Sequence, residues 1–373
     1  MKKKVILISI FVLAVACLFY IVLSEKPVAR KSQEPKLPYP YHSEKVTFNN
    51  NKYGITLAGT LTFPKKAGSF PAVILITGSG PQDRNEEILG HKPFLIIADY
   101  LTRQGFAVLR YDDRGIAKST GNFMTATSLD FAADAESAVT YLKSRKEIVP
   151  GKIGLAGHSE GGLVAAIAAS RSKEVSFVIS LAAPGAIGIE VMNLQAELIA
   201  RAGGVNETEI ARLKKANREI MNIVRKSVNT AVLKTDLTAY AKDHLQNYPK
   251  QMLPPGQTKE EFFKNQINAM CTPWYQFLYK VDPAVYFGKI TCPVLALNGG
   301  KDLQVDAEQN LPAILKAVKD GGNHNVTVKE LPNLNHLFQA SKTGHPSEYK
   351  DIQESFSPTA LAIMSDWMAA QTK

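Results

Sequence analysis

Cysteine is scarce in this chain, with three residues in 373, at positions 17, 271 and 292. None shares a zinc- or iron–sulfur-type spacing with histidine or another cysteine, so they mark no metal site, and the side-chain chemistry read below requires no metal or organic cofactor. A basic stripe is also missing. The formal net charge is +10, yet the lysines and arginines are scattered and not interleaved with aromatics, which argues against a nucleic-acid partner. Internal repeats are absent. Charged residues make up 21% against 45% hydrophobic, a balance that excludes a disordered chain and suits a large buried core.

The chain holds one long apolar run, residues 5–23, preceded by Lys2, Lys3 and Lys4. A run of about twenty such residues is long enough to cross a bilayer as a helix, and the positive charge before it places the remainder of the chain on the outer side. Residues 1–26 are therefore read as a membrane anchor or a signal segment. Ala14-Val15-Ala16 followed by Cys17 keeps a cleaved signal and a lipoprotein open. All three readings carry the protein out of the cytoplasm, the first with the membrane itself as a partner. Residues 27–43 are polar and contain Pro27, Pro35, Pro38 and Pro40, which predicts a tether. Cys271 and Cys292 lie in different regions; two separate buried thiols are expected, with pairing in an oxidising compartment as the rival.

Residues 46–63 read as a hairpin turning at Asn49, Asn50 and Asn51. A strict alternation then begins. Short apolar runs at 72–77, 106–111, 153–156, 175–183, 294–298 and 326–331 predict buried strands. Helical periods fill 94–104, 129–144, 162–170, 306–318 and a last helix through 364–370. The pattern predicts an α/β fold with a doubly wound, mostly parallel sheet covered on both faces. Residues 44–186 and 290–373 are its two parts. Residues 187–289 lack strand runs, are rich in lysine and helical in period, and read as a helical cap inserted between two strands.

Gly157-His158-Ser159-Glu160-Gly161-Gly162 follows a strand and opens a helix, which is the context of a nucleophile elbow. Small residues flanking the serine permit the tight turn that lifts its hydroxyl above the sheet. A serine hydroxyl needs a general base, and the base an orienting carboxylate, in the chain order Ser, Asp, His. Asp302 follows the strand at 294–298 and His336 follows the strand at 326–331. Asp306 stands where the next helix starts and reads as its cap. His42, His91, His158 and His244 precede Asp302 in the chain; His324 lies at the wrong strand end, and His345 comes later in a polar loop. His158 adjoins the serine but should point away as a packed elbow residue.

An oxyanion hole needs two backbone N–H donors. The amide of Glu160 and that of Ser79, in the loop Thr77-Gly78-Ser79-Gly80-Pro81-Gln82-Asp83-Arg84, are the expected pair. The Glu160 side chain reads as a helix-start acid. Asp112-Asp113-Arg114-Gly115 reads as a salt-bridged turn supporting the elbow. Lys118-Ser119-Thr120 lacks the glycine spacing of a phosphate loop, so nucleotide binding is rejected. Trp274, Tyr275, Phe277 and Tyr279 either line a substrate pocket or form the cap's own core.

The segments TGSGPQDR (77–84), YDDRG (111–115), GHSEGG (157–162) and CPVLALNGGKDLQV (292–305), with the late His336, resemble bacterial α/β-hydrolases of the serine aminopeptidase-like (S33-type) esterase group. Two positions depart from that pattern: Thr77 stands where many relatives carry histidine, and Ala117 where a glycine is often found after the DRG turn. The resemblance implies the α/β-hydrolase fold of a bacterial protein and, most often, hydrolysis of a carboxylic ester, here of a small molecule; the N-terminal segment adds a place in the bacterial cell envelope. Other activities stay open: an aminopeptidase or amidase, which would need cap carboxylates such as Glu207, Glu209, Glu260 or Glu261 to hold an amine; a thioesterase or acyltransferase; and a non-catalytic, membrane-tethered binding protein.

Overall fold

The computed structural model describes residues 31–245, 253 and 256–373. The apolar segment read as anchor or signal lies outside the described residues. Among the described residues, no helix is long and apolar enough to cross a membrane.

The chain builds one eight-stranded sheet from β1 (His42–Asn50), β2 (Ile55–Phe63), β3 (Phe70–Ile76), β4 (Ala107–Tyr111), β5 (Ile148–His158), β6 (Phe177–Leu181), β7 (Val294–Gly299) and β8 (Val326–Leu331), in the order β1-β2-β4-β3-β5-β6-β7-β8. The β1-β2 and β2-β4 pairs are antiparallel and every other pair is parallel. The parallel strands β4 and β6 are buried along their whole length, as strands covered on both faces must be, whereas the edge strand β1 alternates toward solvent. The hairpin turn falls at 51–54, with Gly54 at φ 63°, so of the three asparagines expected to form it only Asn51 does. Asn49 and Asn50 stay in the strand, where the Asn50 amide donates to Asp134 Oδ1 at 2.7 Å.

Helices α1 (Pro93–Arg103), α2 (Ser128–Lys143) and α3 (Glu160–Arg171) alternate with β3 to β6. Between β6 and β7 the chain leaves the sheet for α4 (Gly188–Ala202), α5 (Glu207–Lys226), α6 (Thr230–Leu245), α7 (Lys259–Met270), α8 (Pro273–Lys280) and α9 (Ala284–Phe287). It returns through β7, α10 (Ala307–Asp320) and β8, and ends on α11 (Pro358–Gln371). Successive β3 side chains point to opposite faces: Ile74 and Ile76 meet α2 and α3, while Val73 and Leu75 meet α1 and α11. The excursion has a small core of its own, built from Met221, Val224, Leu233, Phe262, Phe263, Ile267 and Met270. Three of its six described helices begin on Asn206, Thr258 and Thr272, whose side chains accept the amides of Glu209, Glu261 and Tyr275. A doubly wound sheet of this order, interrupted by helices before β7, is the α/β-hydrolase fold.

The segment expected to be a tether is seated on this body from Lys31 onward. Lys31 Nζ donates to the carbonyls of Lys350 and Ile352 at 3.0 and 2.9 Å. The Gln33 amide donates to Phe356 O at 2.9 Å and accepts from Phe356 N at 3.1 Å. Composition alone reads such a stretch as a spacer; its polar side chains instead satisfy the backbone of 350–356. His91 backs the same loop, with Nε2 2.9 Å from Tyr349 O and Nδ1 3.0 Å from Ser355 Oγ. The carbonyl fixes the proton on Nε2, so Nδ1 accepts from the serine and the ring is neutral.

Burial, with Lys31 nearby, holds His91 down to about 4. The unfolded chain takes up this proton near 6.5 and the folded one does not, so stability falls as pH drops from 6.5 toward 4. Urea unfolding at pH 7 and pH 5 checks this: the wild type is expected to lose about 2 kcal/mol more over that interval than His91→Gln.

Candidate active site

Ser159 sits between β5 and α3 at φ 54° and ψ −124°, a backbone state costly for any residue with a side chain. Its N–H donates to Leu181 O of β6 at 2.8 Å, which pins the turn to the sheet. The flanking glycines are steric necessities. A methyl group on Gly157 would overlap the Gly161 carbonyl, and one on Gly161 would overlap the Ile76 carbonyl. A Cβ on Gly162 would strike Ala183.

The structure brings Ser159, His336 and Asp302 into one hydrogen-bonded line. His336 Nε2 lies 3.1 Å from Ser159 Oγ, and Nδ1 lies 2.8 Å from Asp302 Oδ2. Asp302 is buried beyond the end of β7, and its Oδ1 accepts the amides of Gln304 and Val305 at 2.8 and 2.9 Å. With every other partner donating, the carboxylate accepts a hydrogen bond from the Nδ1–H and leaves Nε2 to accept from the serine. Asp306 is the cap of α10, accepting Gln309 N at 2.8 Å, as its position suggested. His345 caps the turn at Pro346–Asp351, and His324 is exposed before β8.

The loop 77–84 is held by the turn after β4. Asp113 accepts Thr77 Oγ1 at 2.6 Å and the Gln82 amide at 2.9 Å. Asp112 takes Arg84 twice, through Nε at 2.8 Å and Nη2 at 2.6 Å. Arg114 turns the other way and clamps Asp134 of α2 through Nε at 2.7 Å and Nη2 at 2.8 Å. The Asp-Asp-Arg turn thus braces the loop beside the elbow, more than the elbow itself. Ala117 occupies a left-handed position at φ 47°, which explains why glycine suits it. The Gly78 amide is taken by Glu86 Oε1 at 2.6 Å. The amides of Ser79 and Glu160 have no hydrogen-bond partner among the described residues.

Two neighbours of Ser159 do more than the sequence suggested. His158 Nδ1 lies 3.0 Å from Glu86 Oε1, and Nε2 lies 2.9 Å from the His336 carbonyl. Both partners only accept, so both ring nitrogens carry protons. Burial opposes that charge, but the Glu86 carboxylate and the His336 carbonyl outweigh it and raise the imidazole above its usual value. Glu86 itself went unnoticed in the sequence. The Glu160 carboxylate, expected only to favour the helix start, is buried and accepts Ser79 Oγ at 2.8 Å, Ser128 Oγ at 2.6 Å and Trp274 Nε1 at 2.9 Å. Burial is the larger effect and raises its pKa, which these donors only partly offset.

The aromatic cluster divides. Tyr275 and Tyr279 stack at 4.4 Å within the core of the inserted helices, Phe277 packs on the body, and Trp274 alone reaches the elbow. The acids considered for holding an amine are otherwise engaged or exposed. Glu207 pairs with Arg201, Glu209 with Arg212, Glu261 caps its own helix, and Glu260 faces solvent. Cys271 and Cys292 are free thiols.

The sheet order and the strand–serine–helix turn define an α/β hydrolase. The family model described as serine aminopeptidase, S33 matches residues 93–340, more than half of the chain, and the protein belongs to that family. The chain is 30% identical over 313 residues to Esterase EstD of Thermotoga maritima, a match covering 84% of this chain and 64% of that protein. It therefore spans less than two thirds of that relative's length. Among solved structures it is similar to the esterase Pf2001 of Pyrococcus furiosus, at 16% identity and a TM-score of 0.53, covering 94% of this chain and all of that one. It is also similar to the α/β hydrolase GrgF of a Penicillium species, at 17% identity and a TM-score of 0.55, covering 89% and 99%. Both structural likenesses speak for the fold.

The Glu86–His158 pair carries a stability signature. A raised imidazole contributes fully below its unfolded value near 6.5 and loses that contribution as pH climbs through its folded value. Glu86→Gln keeps an acceptor for Gly78 but removes the charge. Denaturant melts are expected to find the variant about 2 kcal/mol less stable at pH 6, with the gap shrinking toward pH 9.

Proposed function

We propose that the protein hydrolyses carboxylic esters through an acyl-enzyme formed on Ser159. The observation that carries this reading is the unbroken line from Asp302 through His336 to Ser159, beside which the amides of Ser79 and Glu160 have no partner of their own among the described residues. His336 takes the hydroxyl proton as Ser159 attacks the ester carbonyl. Asp302 holds the proton on Nδ1 and balances the imidazolium that forms. The amides of Glu160 and Ser79 receive the charge that develops on the carbonyl oxygen. His336 then returns the proton to the leaving alcohol, and water releases the acid by the same route.

An ester is favoured over a peptide for two reasons. The 30% relative is named an esterase. Three of the cap acids that might fix a substrate amino group are tied to Arg201, to Arg212 and to their own helix start. Lys2 to Lys4 and the apolar run after them support placing this chemistry outside the cytoplasm, anchored at or released from the membrane.

A p-nitrophenyl ester series from acetyl to dodecanoyl, run beside an aminoacyl-nitroanilide and a thioester, checks the reading. Ser159→Ala and Asp302→Asn are each expected to cut ester turnover at least about a thousand-fold in a folded protein. Turnover of the nitroanilide or thioester alone would move the assignment to an amidase or a thioesterase. Full activity in Ser159→Ala would end it.

A further inference from the structure

The carboxylate beside the nucleophile is placed where four parts of the molecule meet. Glu160 opens α3, so its amide is one of the two donors assigned to the oxyanion. Its side chain accepts the hydroxyl of Ser79, whose amide is the other donor, at 2.8 Å. It also accepts Ser128 Oγ of α2 at 2.6 Å and Trp274 Nε1 of α8, which lies 2.9 Å from both carboxylate oxygens. The group is 3% exposed, and among the described residues no cation pairs with it. An indole N–H can only donate, so the contact fits the ionised carboxylate. A buried anion held by neutral donors alone is costly to leave short of any one of them.

Trp274 belongs to the inserted helices, yet its ring packs against both their core and the core of the body. It is the point where the cap meets the elbow. With the cap in place, Trp274 fixes the Glu160 carboxylate, and the carboxylate fixes Ser79. With the cap displaced, the anion loses the indole, must turn toward water, and releases the Ser79 hydroxyl. The loop carrying the second oxyanion amide is then tethered only through Thr77, Gly78 and its far end at Gln82 and Arg84.

From this geometry we propose that Glu160 is a positioning residue through which seating of the cap by Trp274 sets the Ser79 amide for catalysis. The proposal rests on the reading of Ser159 as an ester-cleaving nucleophile. It makes the cap a condition of oxyanion stabilisation.

The test is a mutant cycle in the full chain: Trp274→Phe, Glu160→Gln, the double variant, and Ser79→Ala. Turnover of p-nitrophenyl acetate is measured, since its acyl group is too small to rest on the indole. Inhibition by a trifluoromethyl ketone is measured beside it, because its adduct places an oxyanion in the hole. Trp274→Phe is expected to lower kcat about tenfold with KM moved less than about twofold, and to weaken the ketone by a similar factor. Adding it to Glu160→Gln is expected to cost nothing further. Ser79→Ala, which leaves Trp274 and Glu160 in place, guards against a misfolded Glu160 variant and is expected to show the same kcat loss. The proposal is overturned if the Trp274 and Glu160 effects multiply, if Trp274→Phe moves KM alone, or if Ser79→Ala keeps full kcat. Labelling of the wild type by a fluorophosphonate separates the two levels. A labelled, active enzyme with multiplying effects sinks only the coupling, whereas no labelling sinks the nucleophile and the coupling with it.

Discussion

A serine held in a left-handed backbone state between a strand and a helix is the constraint on which the rest of this site depends. At φ 54° the turn is tight enough that α3 starts one residue after Ser159 leaves β5. That brings the first turn of the helix under the Ile76 and Thr77 carbonyls, which is why Gly161 can carry no side chain. It also fixes where the partners must come from. Loops leaving the carboxyl ends of β3, β7 and β8 are the ones that overhang this point, and they deliver Ser79, Asp302 and His336. The strain is offset by fastening on both sides: the Ser159 amide to β6, and the Gly162 amide back to Ser159 O at 3.0 Å.

Around that turn the molecule braces its loops with buried carboxylates, and arginines answer only some of them. Asp112 and Asp134 each receive a two-pronged guanidinium, from Arg84 and Arg114. Asp113, among the described residues, receives only a hydroxyl and an amide, and burial drives its pKa well above the usual aspartate value. The motifs TGSGPQDR and YDDRG are therefore one structure written in two places. Thr77, Gln82 and Arg84 of the first are the donors, and Asp112 and Asp113 of the second are the acceptors. The outcome is a loop fastened at its two ends, Thr77 on one side and Gln82 with Arg84 on the other, by the turn after β4.

Legible in the sequence was whatever is local or ordered along the chain. Strand and helix periods revealed the sheet and its helical insertion. The elbow needed six consecutive residues, and Asp302 and His336 announced themselves by standing just beyond strands in the right order. The contacts that escaped are joined across long stretches of chain. Glu86 and His158 are 72 residues apart, and Trp274 and Glu160 are 114 apart. No periodicity links such pairs. The docking of Lys31 and Gln33 onto the loop before α11, more than 300 residues away, was hidden for the same reason, and the polar, proline-bearing composition pointed the other way. One signal was present and undervalued: both non-glycine neighbours of Ser159 are ionisable. A packed elbow needs neither a charge nor a second proton, so His158 and Glu160 each had to have a partner.

Three acids surround Ser159, and their different treatment assigns them different work. Asp302 is matched by His336 and two amides, which hold its carboxylate in one orientation. Glu86 is matched by the doubly protonated His158, and together they tie the Gly78 amide to the backbone of His336, joining two loops that flank the serine. Glu160, among the described residues, has no cation. Its charge is held by two hydroxyls and an indole, and of these three only the indole belongs to the inserted helices. An anion stabilised by neutral dipoles depends on water staying out and on every dipole staying in place. Among the described residues, the inserted helices thus reach the Glu160 carboxylate through a single hydrogen-bond donor, the Trp274 indole.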